Sequence, residues 1–267
     1  MRNVKDKEYR KIIDESSGME EKWNILTPIF IFPIIILLVV FVGSFLPTFG
    51  KTVSQSGEPL SVAVTPIEYN LEISGNVWVV ISIMTWVMYF LAFIKSKRNK
   101  IQAYRWNQLA SMLIMFPAYY SMFYGFQFFV PFLLIRIFYW LFFVVSIIYL
   151  IWLFLTKRNP NIAINSRIDS KELSTILLVL WGVSVVINLI NRGFNHFMAT
   201  FLLAAMPIFP PLIIIAFTYV FSGFISALTI LNRLDKDQEK YRQEFGYSVK
   251  GWYGKKSRQY KESLKNK

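Results

Sequence analysis

The sequence predicts an all-α fold, a polytopic membrane bundle of six transmembrane helices with a short outer half-helix before the last span. Three observations carry that expectation. The 267 residues are 55% hydrophobic and only 17% charged, against about 45–50% and about 25% in an ordinary soluble domain. The apolar residues gather into runs of the roughly 20 residues that a helix needs to cross a bilayer. The basic residues flank those runs almost entirely on one side, as membrane topology requires.

In chain order the spans read as 25–46, 77–94, 109–128, 132–155, 173–190 and 209–231. Three parts follow: an N-terminal segment 1–24, a six-span domain 25–231 with an outer loop 50–75, and a basic aromatic tail 232–267. Of the 29 Lys and Arg residues, 26 lie in segments 1–24, 95–107, 156–172 and 232–267. Six spans put all four segments on one face. The opposite face keeps only Lys51 and Arg192, and Arg136 lies inside a span. The expectation is a multi-pass cell-membrane protein with both termini cytoplasmic. The polar stretch before the first apolar run does not read as a signal peptide.

The stretch NHFMATFLLAAMPIFPPLIII, residues 195–215, needs its own account. Residues 197–231 as one helix would reach about 52 Å, well beyond a hydrocarbon core of about 30 Å. A seventh span would carry the basic tail outside. The reading that remains is a half-helix near 197–205 and then a break. Pro207, Pro210 and Pro211 supply that break, because proline lacks an N–H and clashes with the preceding turn. His196 would mark the outer rim.

The soluble parts carry local signals. A helix is expected near 6–14, interrupted at Ser16, Ser17 and Gly18. Ser17 and Glu20 fit a capping box that would start a second helix. The outer loop alternates around Pro66 in a way that fits a small hairpin. In the tail, Gly246 fits a helix stop. Beyond it, Tyr247, Trp252 and Tyr253 interleave with Lys250, Lys255, Lys256 and Arg258. Two readings stand for these seven residues. The first is membrane-surface docking on anionic lipid headgroups; the second is a site for a protein partner.

Chemistry is constrained mainly by what is missing. The chain has no cysteine and one histidine, which excludes thiolate metal sites, cysteine nucleophiles and multi-histidine cages. All sixteen Asp and Glu lie outside the spans, so no intramembrane proton relay or paired-acid site is visible. No phosphate-binding or dinucleotide motif occurs. The expectation is no enzyme, no cofactor, no metal and no nucleic-acid partner. Arg136 is the one charge within a span, a functional hypothesis by default. It either reaches the outer interface with its long side chain or holds an anionic group or helix carbonyls inside the bundle. His196 reads as an external sensor or as an interfacial polar cap. The aromatic stretch PAYYSMFYGFQFFVPF reads as a belt at the outer surface or as a recognition surface.

The tail EKYRQEFGYSVKGWYGKK, with the Lys-, Asn- and Ile-rich, cysteine-free style of the chain, resembles uncharacterised polytopic membrane proteins encoded in type VII secretion loci of staphylococci and their relatives. That resemblance implies an immunity or accessory protein of a secretion or toxin system, with a toxin or secretion component as partner. Six spans and an outer half-helix before the last also look like the permease half of ABC-2-type exporters. This second likeness implies a homodimer and a separate ATPase.

Overall fold

The structure, a computed structural model, describes residues 2–55, 62–157, 170–192 and 205–265. Among the described residues it is helical, with no strand. Five helices are long and apolar enough to cross a membrane: Thr27–Gln55, Gly75–Ser96, Lys100–Gln127, Leu133–Thr156 and Met206–Lys236. This is the composition of a multi-pass membrane protein.

Helix α1 spans Arg2–Lys22 without interruption, and so corrects the expected break at Ser16–Gly18. The reason is tertiary. Tyr9, Ile12, Ile13, Ser16 and Met19 fall three or four residues apart and form one inward stripe. Burying each large apolar side chain stabilises by about 1.5–3 kcal/mol, more than the few tenths to about 1 kcal/mol that Ser and Gly cost a helix. Ser16 Oγ donates to the Ile13 carbonyl at 2.7 Å, so the buried hydroxyl is satisfied inside the helix. No second helix starts at Ser17, which lies inside α1.

The chain then enters a π-helical turn, Thr27–Ile31, with Pro28 in its first turn. The Asn24 side chain accepts from the Leu26 and Thr27 amides at 3.0 and 3.2 Å. Helix α2 spans Phe32–Gln55, nine residues past the expected end of the first span. The outer loop is correspondingly shorter. Its described part holds a single helical turn, α3, Pro66–Tyr69, in place of the expected hairpin.

Helix α4 spans Gly75–Ser96, α5 Lys100–Gln127 and α6 Leu133–Lys157. Helix α7, Ser170–Arg192, forms where the fifth span was read. It carries the apolar run Leu178–Ile187. A 3₁₀ turn, Met206–Ile208, leads into α8, Phe209–Lys236. The tail folds as α9 (Gln238–Glu244), α10 (Val249–Tyr253) and α11 (Arg258–Lys265). Gly246 has φ +74° and stops α9 as expected.

The chain divides into two compact units. The first comprises Met1–Leu38, Val79–Ile114 and Gly223–Lys267, and the second Val39–Trp78 and Met115–Ser222. Within the second, α2 and α5 cross at Gly50 and Gly125. A Cβ on Gly50 would lie 2.4 Å from the Gly125 carbonyl oxygen, and one on Gly125 would lie 2.7 Å from the Leu46 carbonyl carbon. Small residues permit such close backbone approach between membrane helices. The aromatic stretch of α5 is core rather than belt. Phe123, Tyr124, Phe128 and Phe129 are all buried. Phe123 stacks on Phe143 at 4.6 Å, and Phe126 stacks on Phe209 at 4.6 Å.

Candidate functional site

Helix α5 ends in a tight turn, with the Val130 amide donating to the Gln127 carbonyl at 3.0 Å. Pro131 follows, and α6 starts two residues later. Arg136 therefore sits in the first turn of α6. Its side chain is 1% exposed and does not extend to solvent. Nε donates to Glu68 Oε1 at 2.7 Å, and Nη2 donates to Glu68 Oε2 at 3.2 Å. Nη1 donates to the Val130 carbonyl and Nη2 to the Ala63 carbonyl, each at 2.7 Å. These four bonds use most of the five N–H donors of a guanidinium. The anion that satisfies Arg136 belongs to the chain itself.

Glu68 is brought there by local sequence. Thr65–Pro66–Ile67–Glu68 forms a capping box with proline at the first helical position. The Thr65 amide donates to Glu68 Oε2 at 2.8 Å, and the Glu68 amide donates to Thr65 Oγ1 at 3.3 Å. Burial pushes the Glu68 carboxyl up. The hydrogen bonds from Arg136 and Thr65, with the guanidinium charge, outweigh it and leave the carboxyl below its ordinary 4.5.

Two more helices of the same unit hold the connection around α3. Lys51 of α2 donates to the Tyr69 carbonyl at 3.3 Å and pairs with Glu72. Tyr124 of α5 donates to the same carbonyl at 3.2 Å, and Tyr120 donates to the Leu71 carbonyl at 2.6 Å. Lys51 also lies over the rings of Tyr69 and Tyr124, at 5.7 and 5.6 Å. The connection is thus clamped from three sides by α2, α5 and α6. A cavity of about 10 Å³ beside Glu68, Arg136 and Gln127 is the size of a single water, too small for a substrate.

Pro207 is buried in the 3₁₀ turn, and its carbonyl accepts from the Tyr139 hydroxyl at 3.2 Å. Pro210 and Pro211 fall in the first turn of α8, where a missing N–H has no helical partner to lose. They start the helix. His196 and the segment 197–204 lie outside the described residues.

The tail residues separate by type. Trp252 and Tyr253 are buried, at 2% and 6% exposure. They pack with Ile12 and Ile13 of α1, Ile101 of α5, and Ile230, Leu231 and Leu234 of α8. These rings face the protein's own core, not headgroups. Tyr247 packs at the edge and donates to Asp14 Oδ1 at 2.6 Å. Burial and that bond push its hydroxyl up to about 12. Tyr253 donates to Glu239 Oε2 at 3.1 Å and is likewise pushed up to about 12, by burial first. Arg242, Gln243 and Tyr253 hold the Glu239 carboxyl down to about 2. Lys250, Lys255, Lys256 and Arg258 remain exposed. Arg98, of the turn between α4 and α5, joins Lys256 and Arg258 around one cleft, which the sequence reading did not single out.

Among the described residues no group of three or more His, Cys, Asp and Glu is placed to hold a metal. Comparison with family models, with curated proteins and with solved structures gives no match.

Proposed function

We propose that this chain is a non-catalytic bacterial membrane protein with six spans and both termini cytoplasmic, acting as an immunity or accessory protein of a secretion or toxin system. In this reading α7 is the fifth of the six spans, and the 26-to-2 split of basic residues supports the orientation. The observation that carries the non-catalytic part is the Arg136 clamp. Arg136, the charge that the sequence places within a span, is held by Glu68 and by backbone carbonyls, which fits a structural junction better than a substrate or proton site. Clamping the α3 connection to α2, α5 and α6 would give the outer face a fixed shape, as recognition of a protein partner requires. The test is deletion of the gene in its host. Sensitivity to a membrane-active toxin, with export intact, supports this reading; loss of export with no toxin sensitivity contradicts it.

A second reading, a permease subunit of an ABC-2-type exporter, gains from one observation. Helix α1 runs unbroken over Arg2–Lys22 directly before the first span, where such permeases carry an amphipathic helix. Co-purification with an ATPase would select it. The absence of cysteine makes topology simple to test. Single-cysteine variants Ser56→Cys and Ser263→Cys should label only from outside and only from inside, respectively. External labelling at Ser263→Cys would sink the six-span orientation.

A further inference from the structure

The tail carries a second arrangement, independent of the clamp. Gly254 has φ +95°, and a Cβ there would lie 3.1 Å from the Lys97 carbonyl oxygen. The backbone at 254–256 therefore runs against the turn that follows α4, and the Lys256 amide donates to the Lys97 carbonyl at 3.1 Å. Ser257 next caps α11, accepting from the Tyr260 amide at 3.1 Å. Helix α11 then places Arg258, Lys261 and Lys265 at a spacing of three and four residues, on one face. That face, Lys256 and Arg98 border a cleft of about 530 Å³. Five bases line it against one acid, Glu262, which Arg258 pairs at 2.7 Å.

We infer that this cleft binds the phosphate of an anionic phospholipid headgroup. Charge selects the ligand class: a concave surface with a surplus of four positive charges attracts a phosphate ester and rejects a zwitterion or a cation. Position selects the source. Lys97 and Arg98 directly follow Ser96, the last residue of a span-length apolar helix, so the cleft opens at headgroup depth when α4 crosses the bilayer. The inference rests on the multi-pass reading in that one respect. It replaces general docking of the tail by a site whose rings are buried and whose bases converge.

The experiment uses the full chain in zwitterionic detergent micelles. Short-chain phosphatidylglycerol, short-chain phosphatidylcholine and inorganic phosphate are titrated separately, with binding read by thermophoresis. Saturable binding of phosphatidylglycerol is expected, with phosphatidylcholine and inorganic phosphate at least tenfold weaker. The variant Lys256→Gln/Arg258→Gln/Lys261→Gln should lose about a hundredfold in affinity, since each base near a membrane surface contributes about 1 kcal/mol. Lys11→Gln/Lys236→Gln/Lys240→Gln removes the same charge from exposed positions outside the cleft and should stay within about threefold of the parent. Equal losses in both variants would overturn the inference, as would inorganic phosphate binding as tightly as the lipid. Unchanged circular dichroism of the variants separates binding loss from unfolding. Carbonate extraction of the membranes is a separate check. Release of the chain sinks the multi-pass reading, whereas loss of lipid selectivity sinks only the cleft.

Discussion

Two regions of this molecule use similar residues in opposite ways. Around α3, a buried arginine paired with a half-buried glutamate sits at the centre, and tyrosines and carbonyls surround the pair. In the tail, the aromatic and aliphatic residues form the centre, and charges sit at the rim. The clamp depends on Arg136 and Glu68, whose attraction must offset the desolvation of both. The tail core spreads its stabilisation over eight buried apolar residues from four helices. One region should therefore fail through a single bond, the other by degrees.

The largest effect should come from breaking the clamp at its base. Arg136→Met leaves the Glu68 carboxylate without its cation and should cost about 3–5 kcal/mol, read by thermal unfolding in detergent. In the tail, Trp252→Ala should cost about 3 kcal/mol, as expected of a truncated core tryptophan whose neighbours partly collapse. The failure should stay local. Limited proteolysis would then cut within 232–265 and leave the spans intact; cleavage throughout the chain would contradict a local failure. Gly125→Ala sets a Cβ against the backbone at Leu46 and should cost about 2 kcal/mol as overpacking. Thr65→Ala removes only the cap and should cost about 1 kcal/mol.

Acid sharpens the same contrast. The folded Glu68 carboxyl lies below its ordinary 4.5. Its contribution to stability is fully present above that value and is lost as pH falls through the lowered one. Acid melts should thus weaken the parent more than Arg136→Met, in which the lowering cation is gone. Parallel loss in both would show that Glu68 does not report on Arg136. Glu239 has the same sign but lies at an exposed rim, so Glu239→Gln should barely change the acid profile.

How much of this was legible in the sequence follows from the range of each interaction. Apolar run length marks the spans, because bilayer thickness acts on every helix alike. Gly246 is legible because a positive φ is a local demand. Capping boxes are local too, yet the Ser17–Glu20 pattern lies inside a continuous helix and Thr65–Glu68 caps one. The first lies on a stripe that tertiary burial carries straight through, whereas the second starts with Pro66 after a non-helical residue. The partner of Arg136 lies 68 residues away, and no period or spacing connects them. The tail rings are ambiguous for a different reason, since alternating bases and aromatics suit an interfacial segment and the rim of a small core equally. Pro210 and Pro211 fall in the first turn of α8, where proline is tolerated because the N–H it lacks has no helical partner, so the residue type alone does not tell a break from a start.

The central claim is that Arg136 is structural, held by Glu68 rather than kept for a ligand. A double-mutant cycle of Arg136→Met and Glu68→Leu, measured by unfolding in detergent, tests it most directly. The claim predicts a coupling of about 2–3 kcal/mol, with the double variant recovering most of the loss of Arg136→Met. A coupling within about 0.5 kcal/mol of zero would contradict it.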